Sequence, residues 1–163
     1  MTLSVSPAHT IPARDGRQSD RALAICVGAR RLLTSLRLAT LTEVTLRSGR
    51  RADILAVGES GEIWIIEIKS SVADFRADAK WPEYREFCDR FAFAVDPDFP
   101  TRLIPDDTGL ILSDRYGASL ARPSPLHRIT PACRKAVLLR FGRAAASRLH
   151  ALTDPAGANG IVD

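Results

Sequence analysis

Three charged residues stand inside runs that are otherwise apolar. Asp53 lies in RADILAV (51–57), and Glu67 and Lys69 close EIWIIEIK (62–69). Side chains alternate along a strand, so Glu67 and Lys69 share one face while Ile66 and Ile68 take the other. If the two runs pair as a hairpin, Asp53 comes next to Glu67, and two carboxylates converge with one ammonium at one end of a sheet. Carboxylate oxygens are the donors that Mg²⁺ and Mn²⁺ favour, with waters and a substrate phosphate completing the octahedron. A lysine beside them can hold or deprotonate the attacking water and offset charge building on a phosphate. A Glu and a Lys two apart on a solvated strand need mean nothing. What sets this pair apart is the cost of charging so apolar a strand without partners.

The elements that must position these groups follow from periodicity and punctuation. Residues 1–16 hold Pro7, Pro12 and Gly16 without an apolar period and read as a loose arm. Ser19 or Asp20 can cap a helix through ALAICVGARRLLTSL, where Ala22, Cys26, Ala29, Leu33 and Leu36 recur at helical steps. Strands are predicted at 41–47, 51–57 and 62–69, with turns around Gly49 and at Gly58–Gly61 suited to hairpins. Ser70 or Ser71 caps a second helix, VADFRADAKW, re-aimed near Pro82 and continuing through EYREFCD. A buried strand at 90–96 follows, then two more at 108–114 and 116–122 joined by a tight turn, and a last helix from Thr130 to about His150. Val137, Leu138, Phe141, Ala145 and Leu149 can line one face of that helix. The sum is one α/β domain over 17–152, with a tail at 153–163.

Further residues could join the chemistry. Glu43, in the first strand, shares a face with Leu41 and Thr45 by alternation, and either adds a third carboxylate or pairs with Arg51. Asp74 and Asp78 share a helical face and fit ion pairing with Arg76 or Lys80 on a helix surface better than a second metal. Trp64 and Trp81 read as packing residues, and His9, His127 and His150 show no ligand spacing.

Composition removes several classes. No apolar run approaches the roughly 20 residues of a spanning helix. MTLSVSPAHTIPARDG lacks the pattern of a secretory signal, which sets a cytoplasmic expectation. Cys26, Cys88 and Cys133 are too scattered for a disulfide framework or a CxxC zinc site. The formal charge of +4 hides a gradient: residues 1–38 carry +4, residues 39–121 carry −5, and residues 122–150 hold seven basic residues and no acid. An acidic middle between basic ends fits a carboxylate site served by nucleic-acid-binding flanks, and fits a solvated basic helix equally well. Of 23 basic residues only Lys69, Lys80 and Lys135 are lysine. Where arginine serves almost everywhere, a lysine on a core strand points to a need for a compact ammonium.

Asp53 followed by Glu67-Ile68-Lys69 resembles the D-(x)n-(D/E)-x-K signature of the PD-(D/E)XK nuclease superfamily. The stretch from Gly49 to Pro100 is similar to the MmcB-like family of DNA-repair-associated proteins in bacteria. The resemblance implies a restriction-endonuclease-like core, α-β-β-β-α-β, with a mixed central sheet flanked by helices. It implies Asp53, Glu67 and the carbonyl of Ile68 as ligands for Mg²⁺ or Mn²⁺, Lys69 as the catalytic lysine, and Glu43 as an early acidic residue of the site. Ala52 stands where the signature has proline, which leaves the ligating carboxylate in place. Lys80-Trp81-Pro82-Glu83-Tyr84 is similar to the Q-x-x-x-Y element of RecB-like members, with Lys80 in the glutamine position. Lys80, Tyr84 and Arg51 are the expected nucleic-acid contacts.

The reading that follows is a metal-dependent DNA endonuclease or nuclease-fold repair factor. Its partner would be damaged or structured DNA, with no membrane, and with a homodimer or other repair proteins as further partners. The alternative is a non-catalytic nuclease-fold module that binds DNA or recruits repair proteins, and an enzyme acting on RNA would share the same phosphate and metal chemistry.

Overall fold

The computed structural model describes residues 20–156. The expected arm at 1–16, the cap Ser19, His9 and the tail from 157 onward lie outside the described residues. One mixed sheet holds β1 (Ala39–Thr45), β2 (Arg51–Val57), β3 (Ile63–Lys69), β4 (Arg90–Val95), β5 (Gly109–Ser113) and β6 (Ala118–Arg122), in that spatial order. Tight turns make β1–β2, β2–β3 and β5–β6 antiparallel. The longer excursions after β3 and β4 make β3–β4 and β4–β5 parallel. Helix α1 (Asp20–Ser35) covers one face, where Ile25, Ala29 and Leu33 meet Ile54, Ile66 and Ile111. The other face carries α2 (Val72–Ala77), a 3-10 helix at Trp81–Phe87, and α3 (Pro131–Thr153). Ile63, Ile65, Phe91 and Phe93 pack there against Tyr84, Trp81 and Val137. Strands β3 and β4 are therefore apolar on both faces, as parallel central strands must be.

Close packing of α1 depends on Gly28. A Cβ there would stand 2.1 Å from the Asp114 carbonyl oxygen, and nearby the Ser113 hydroxyl donates to the Ile25 carbonyl at 2.7 Å. No helix among the described residues is long and apolar enough to cross a membrane.

Several boundaries differ from the sequence expectation. Strand β1 ends two residues early, because the Leu46 N–H closes onto the Arg50 carbonyl and Gly49 takes φ +84° in the turn. The expected helix from 72 to beyond Pro82 stops at Ala77, where Asp78 accepts from the Lys80 N–H. The chain then resumes as a 3-10 turn with Pro82 in its first turn. Helix α3 runs past His150 to Thr153, and Leu149 faces solvent rather than the core. A short 3-10 turn at Thr101–Leu103 had no sequence signal. In β1 and β2 the alternation itself slips: Leu41 packs on the same side as Val44, and Ala52 on the same side as Leu55. Glu43 has φ +52° at this slip. The expectation that Glu43 shares a face with Leu41 and Thr45 fails for that reason.

Asp89, just before β4, ties the far end of the domain together. It is 2% exposed. Its carboxylate accepts from both terminal guanidinium nitrogens of Arg134, at 2.5 and 2.6 Å, and from the N–H groups of Ile63 and Ile129. Its own N–H donates to the Ile63 carbonyl, and its carbonyl accepts from the His127 N–H. One residue thus joins β3, β4, the loop before α3 and α3 itself. At the sheet margin, Arg140 donates to the Thr45 carbonyl and Arg148 to those of Thr42 and Glu43. These contacts occupy backbone acceptors of an edge strand that would otherwise invite pairing.

Burial works against the Asp89 charge, but Arg134 and the two main-chain N–H groups outweigh it and hold the carboxyl below its usual value. A depressed value means stabilisation that is full above the ordinary carboxylate pKa of about 3.9 and is lost as pH falls through the folded value. Asp89→Asn should cost about 3 kcal/mol at pH 7, the scale of breaking one side of a buried pair. Its Tm should also fall less steeply than the parent's on acidification. Parallel acid limbs in circular-dichroism melts would contradict this account.

Candidate active site

Strands β2 and β3 pair from Val57–Ile63 up to Ile54–Ile66, and the ladder stops there. One residue further on each strand stand Asp53 and Glu67. Like charges directly opposite each other disfavour pairing, and here each carboxylate takes a main-chain N–H of the other strand instead. The Asp53 N–H donates to Glu67 Oε1 at 3.2 Å, and the Ile68 N–H donates to Asp53 Oδ2 at 2.8 Å. The exchange satisfies N–H groups left by the ended ladder and fixes both carboxylates. Glu67 keeps its place in the sheet through β4, opposite Phe93. The site therefore lies at the end of an interior strand, third of six, and not at a sheet edge.

Glu67 and Lys69 are each 5% exposed and Asp53 is half-buried. Burial, then the charge of Asp53, pushes the Glu67 carboxyl up to about 8. Burial raises Asp53 as well, against the Ile68 N–H and the Lys69 charge. The Lys69 ammonium sits 2.7 Å from Asp78 Oδ2 and 4.0 Å from Glu67 Oε2. Asp78 was expected on a helix surface, yet it is the partner that makes a buried lysine tolerable. Chain geometry explains this: α2 follows β3 at once, capped by Ser71, whose hydroxyl accepts from the Asp74 N–H. Phe75 anchors α2 edge-on against Phe93, with ring centroids 5.4 Å apart. The helix then ends with Asp78 over Lys69.

The remaining candidates fall in three places. Ile68 has its side chain in the core on the α1 side. In extended chain a residue's carbonyl points the same way as its N–H, so the Ile68 carbonyl is aimed toward Asp53. Glu43 is exposed, with its carboxylate 3.9 Å from Arg51. Arg51 and Lys80 are exposed, two residues from Asp53 and Asp78 respectively. Tyr84, expected to meet nucleic acid, is 4% exposed; its ring stacks on Phe91 and its hydroxyl donates to the Arg51 carbonyl at 2.9 Å. It serves as a wall that sets the start of β2.

No group of three or more His, Cys, Asp and Glu side chains able to hold a metal occurs among the described residues. The donor set at the parting of β2 and β3 is smaller: two carboxylates and a main-chain carbonyl, all oxygen. That set suits Mg²⁺ or Mn²⁺ with water and phosphate completing the shell. Burial is the largest cause that lifts both carboxyl pKa values, and a divalent cation held between them would offset it.

A family model described as DNA repair protein MmcB-like matches residues 9–156. A solved structure of a protein of unknown function from Silicibacter pomeroyi is 43% identical, with a TM-score of 0.80, over 85% of this chain and 94% of that one. No curated protein matches the chain.

Because the folded Glu67 carboxyl titrates near 8 instead of its usual 4.5, the folded state holds that proton more tightly than the unfolded chain. Stability in a chelator should thus decline as pH rises from the ordinary carboxylate range toward 8, then level off. Glu67→Gln should remove most of the decline, leaving the smaller part due to Asp53, and melt above the parent at pH 9. Millimolar Mg²⁺ should raise the parental Tm there and leave the variant unmoved. Parallel melting curves for the two proteins would show that the carboxyl is not perturbed.

Proposed function

From a chain that belongs to the MmcB-like family of DNA repair proteins, we infer a metal-dependent nuclease of the PD-(D/E)XK kind that hydrolyses phosphodiester bonds in DNA. One observation carries the reading: Asp53 and Glu67 face each other where β2 and β3 part, and Lys69 shares the face of Glu67. Asp53, Glu67 and the Ile68 carbonyl would hold Mg²⁺ or Mn²⁺. When bound, the ion polarises a phosphate and acidifies a water. Lys69, oriented by Asp78, offsets charge that builds on the phosphate oxygens. Arg51 and Lys80 flank the mouth and meet the backbone through phosphates, which position a strand without reading its sequence. Two carboxylates are too few to cage Mg²⁺, so metal affinity without nucleic acid should be weak.

The Asp78–Lys69 contact also favours a second reading, a nuclease-fold module that binds DNA or recruits repair proteins without cutting, since it draws the ammonium away from Glu67. Incubation with duplex, nicked, flapped, mismatched and abasic DNAs and with structured RNAs, in Mg²⁺ or Mn²⁺, separates the two. Lys69→Arg should cost on the order of 10² in cleavage rate, because the planar guanidinium cannot take the place of a compact ammonium. DNA affinity should change far less. Cleavage at the parental rate in both Lys69→Arg and Glu67→Gln would assign it to a contaminant and leave the binding module.

A further inference from the structure

A pocket of about 260 Å³ opens between the β1–β2 turn and the first turns of α3. Leu46, Phe87 and Val137 give it apolar walls, Arg47, Arg140 and Cys133 stand among its lining residues, the Cys133 thiol donating to the Glu86 carbonyl at 3.2 Å, and no acidic residue lines it. A neighbouring depression shares Ala136 and Arg140 and adds Arg143. Helix α3 contains no acidic residue at all. Its arginines divide by use. Arg134 is committed to Asp89 and Arg148 to the carbonyls of β1. Arg140 spends one nitrogen on the Thr45 carbonyl. Arg47 and Arg143 have no ion pair among the described residues.

The pocket lies on the sheet face that carries Glu67 and Lys69, since its walls belong to the cluster that includes Ile63 and Ile65. Its Arg47 side sits in the turn that leads into β2 and Asp53, while Thr130 and Cys133 reach toward the Asp89 end. A polyanion crossing that turn would meet both places. The volume falls just under the roughly 300–1,000 Å³ of pockets that bury drug-sized ligands, which suits a single planar ring system. Apolar walls with cationic neighbours and no carboxylate are the combination that holds an unpaired nucleotide by its ring and its phosphates together. A base inside a duplex cannot leave the stack to enter without being extruded.

We propose that this pocket anchors an unpaired nucleotide of the nucleic acid, its base against Phe87 and Val137 and its flanking phosphates on Arg47, Arg140 and Arg143. The proposal rests on nucleic acid being the substrate of the carboxylate site, and specifies an unpaired segment beside the scissile one. Binding of a short fluorescein-labelled oligodeoxythymidylate, the matching oligouridylate and a blunt duplex is followed by anisotropy in EDTA, where cleavage does not enter. Arg47→Glu should weaken all three. Ala136→Trp, which plugs an exposed position at the pocket mouth, should weaken the single strands on the order of tenfold and spare the duplex.

A second readout needs no variant. Cys26 and Cys88 are buried and Cys133 is partly exposed, so maleimide labelling reports on Cys133, and either oligonucleotide should slow it where the duplex does not. Unchanged labelling together with unchanged single-strand affinity of a folded Ala136→Trp overturns the proposal. So does stronger protection by an acidic peptide than by the oligonucleotides, which would assign the pocket to a protein partner. Protection of Cys133 with no cleavage of any substrate would sink the nuclease reading and keep the anchor; cleavage with an unprotected thiol would do the reverse.

Discussion

The site rests on an exchange of main-chain partners where two strands separate. An uninterrupted β2–β3 ladder would set Asp53 and Glu67 opposite each other with nothing to offset two like charges. The ladder instead ends at Ile54–Ile66, and each carboxylate binds an N–H of the facing strand. Those bonds make up for part of the lost pairing and fix the oxygens without neutralising them. The same separation lies at the end of an interior strand, beside α2 and the 3-10 helix. The slip of alternation at Glu43 and Asp53 belongs to this parting, because β1 must follow β2 as it leaves β3.

Arginine is so abundant here that its uses must be sorted before its charge is assigned a purpose. Arg134 holds Asp89, Arg140 and Arg148 cover carbonyls of the edge strand, and Arg122 binds the carbonyls of Pro105 and Thr108. Much of the positive block at 122–150 is therefore spent on holding α3 and the loops in place. The charge left for a polyanion is smaller than the sequence total and more local, centred on the β1–β2 turn and the exposed side of α3. A helix with only Val137 fully buried would hold weakly through apolar contact alone, and the guanidinium contacts supply the remainder.

How much of this was legible in the sequence follows from what each signal depends on. Asp53, Glu67 and Lys69 could be placed together because strand alternation and a hairpin turn are local rules, and β3 obeys them. Strand and helix order was legible for the same reason. The face of Glu43 was misread because one left-handed residue shifts the phase, and nothing about a glutamate announces φ +52°, while its alternative pairing with Arg51 is present at 3.9 Å. Asp78 and Asp89 were missed because their partners are fixed by tertiary packing. Asp78 had one usable clue, namely that a lysine buried on a core strand must find an acid and α2 is the next element in the chain. Tyr84 was read as a nucleic-acid contact because it matches the tyrosine of the Q-x-x-x-Y element, and the 3-10 turn places its ring in the aromatic core beside Phe91.

The two ends of β3 treat buried acid in opposite ways, and the contrast separates scaffold from site. At its start, Asp89 receives a bidentate arginine and two main-chain N–H groups, and its carboxyl is held low. Such a group is satisfied: it has nothing left to offer a ligand, and its removal is felt as lost stability. At the far end, Glu67 and Asp53 take one N–H each and a lysine committed elsewhere, so burial pushes both carboxyls up, and for Glu67 the charge of Asp53 adds to it. Apolar residues there would stabilise the free protein more than this pair does. Carboxylates left undercompensated on a central strand, beside carboxylates elsewhere that are fully paired, are the groups that the proposed cation would compensate.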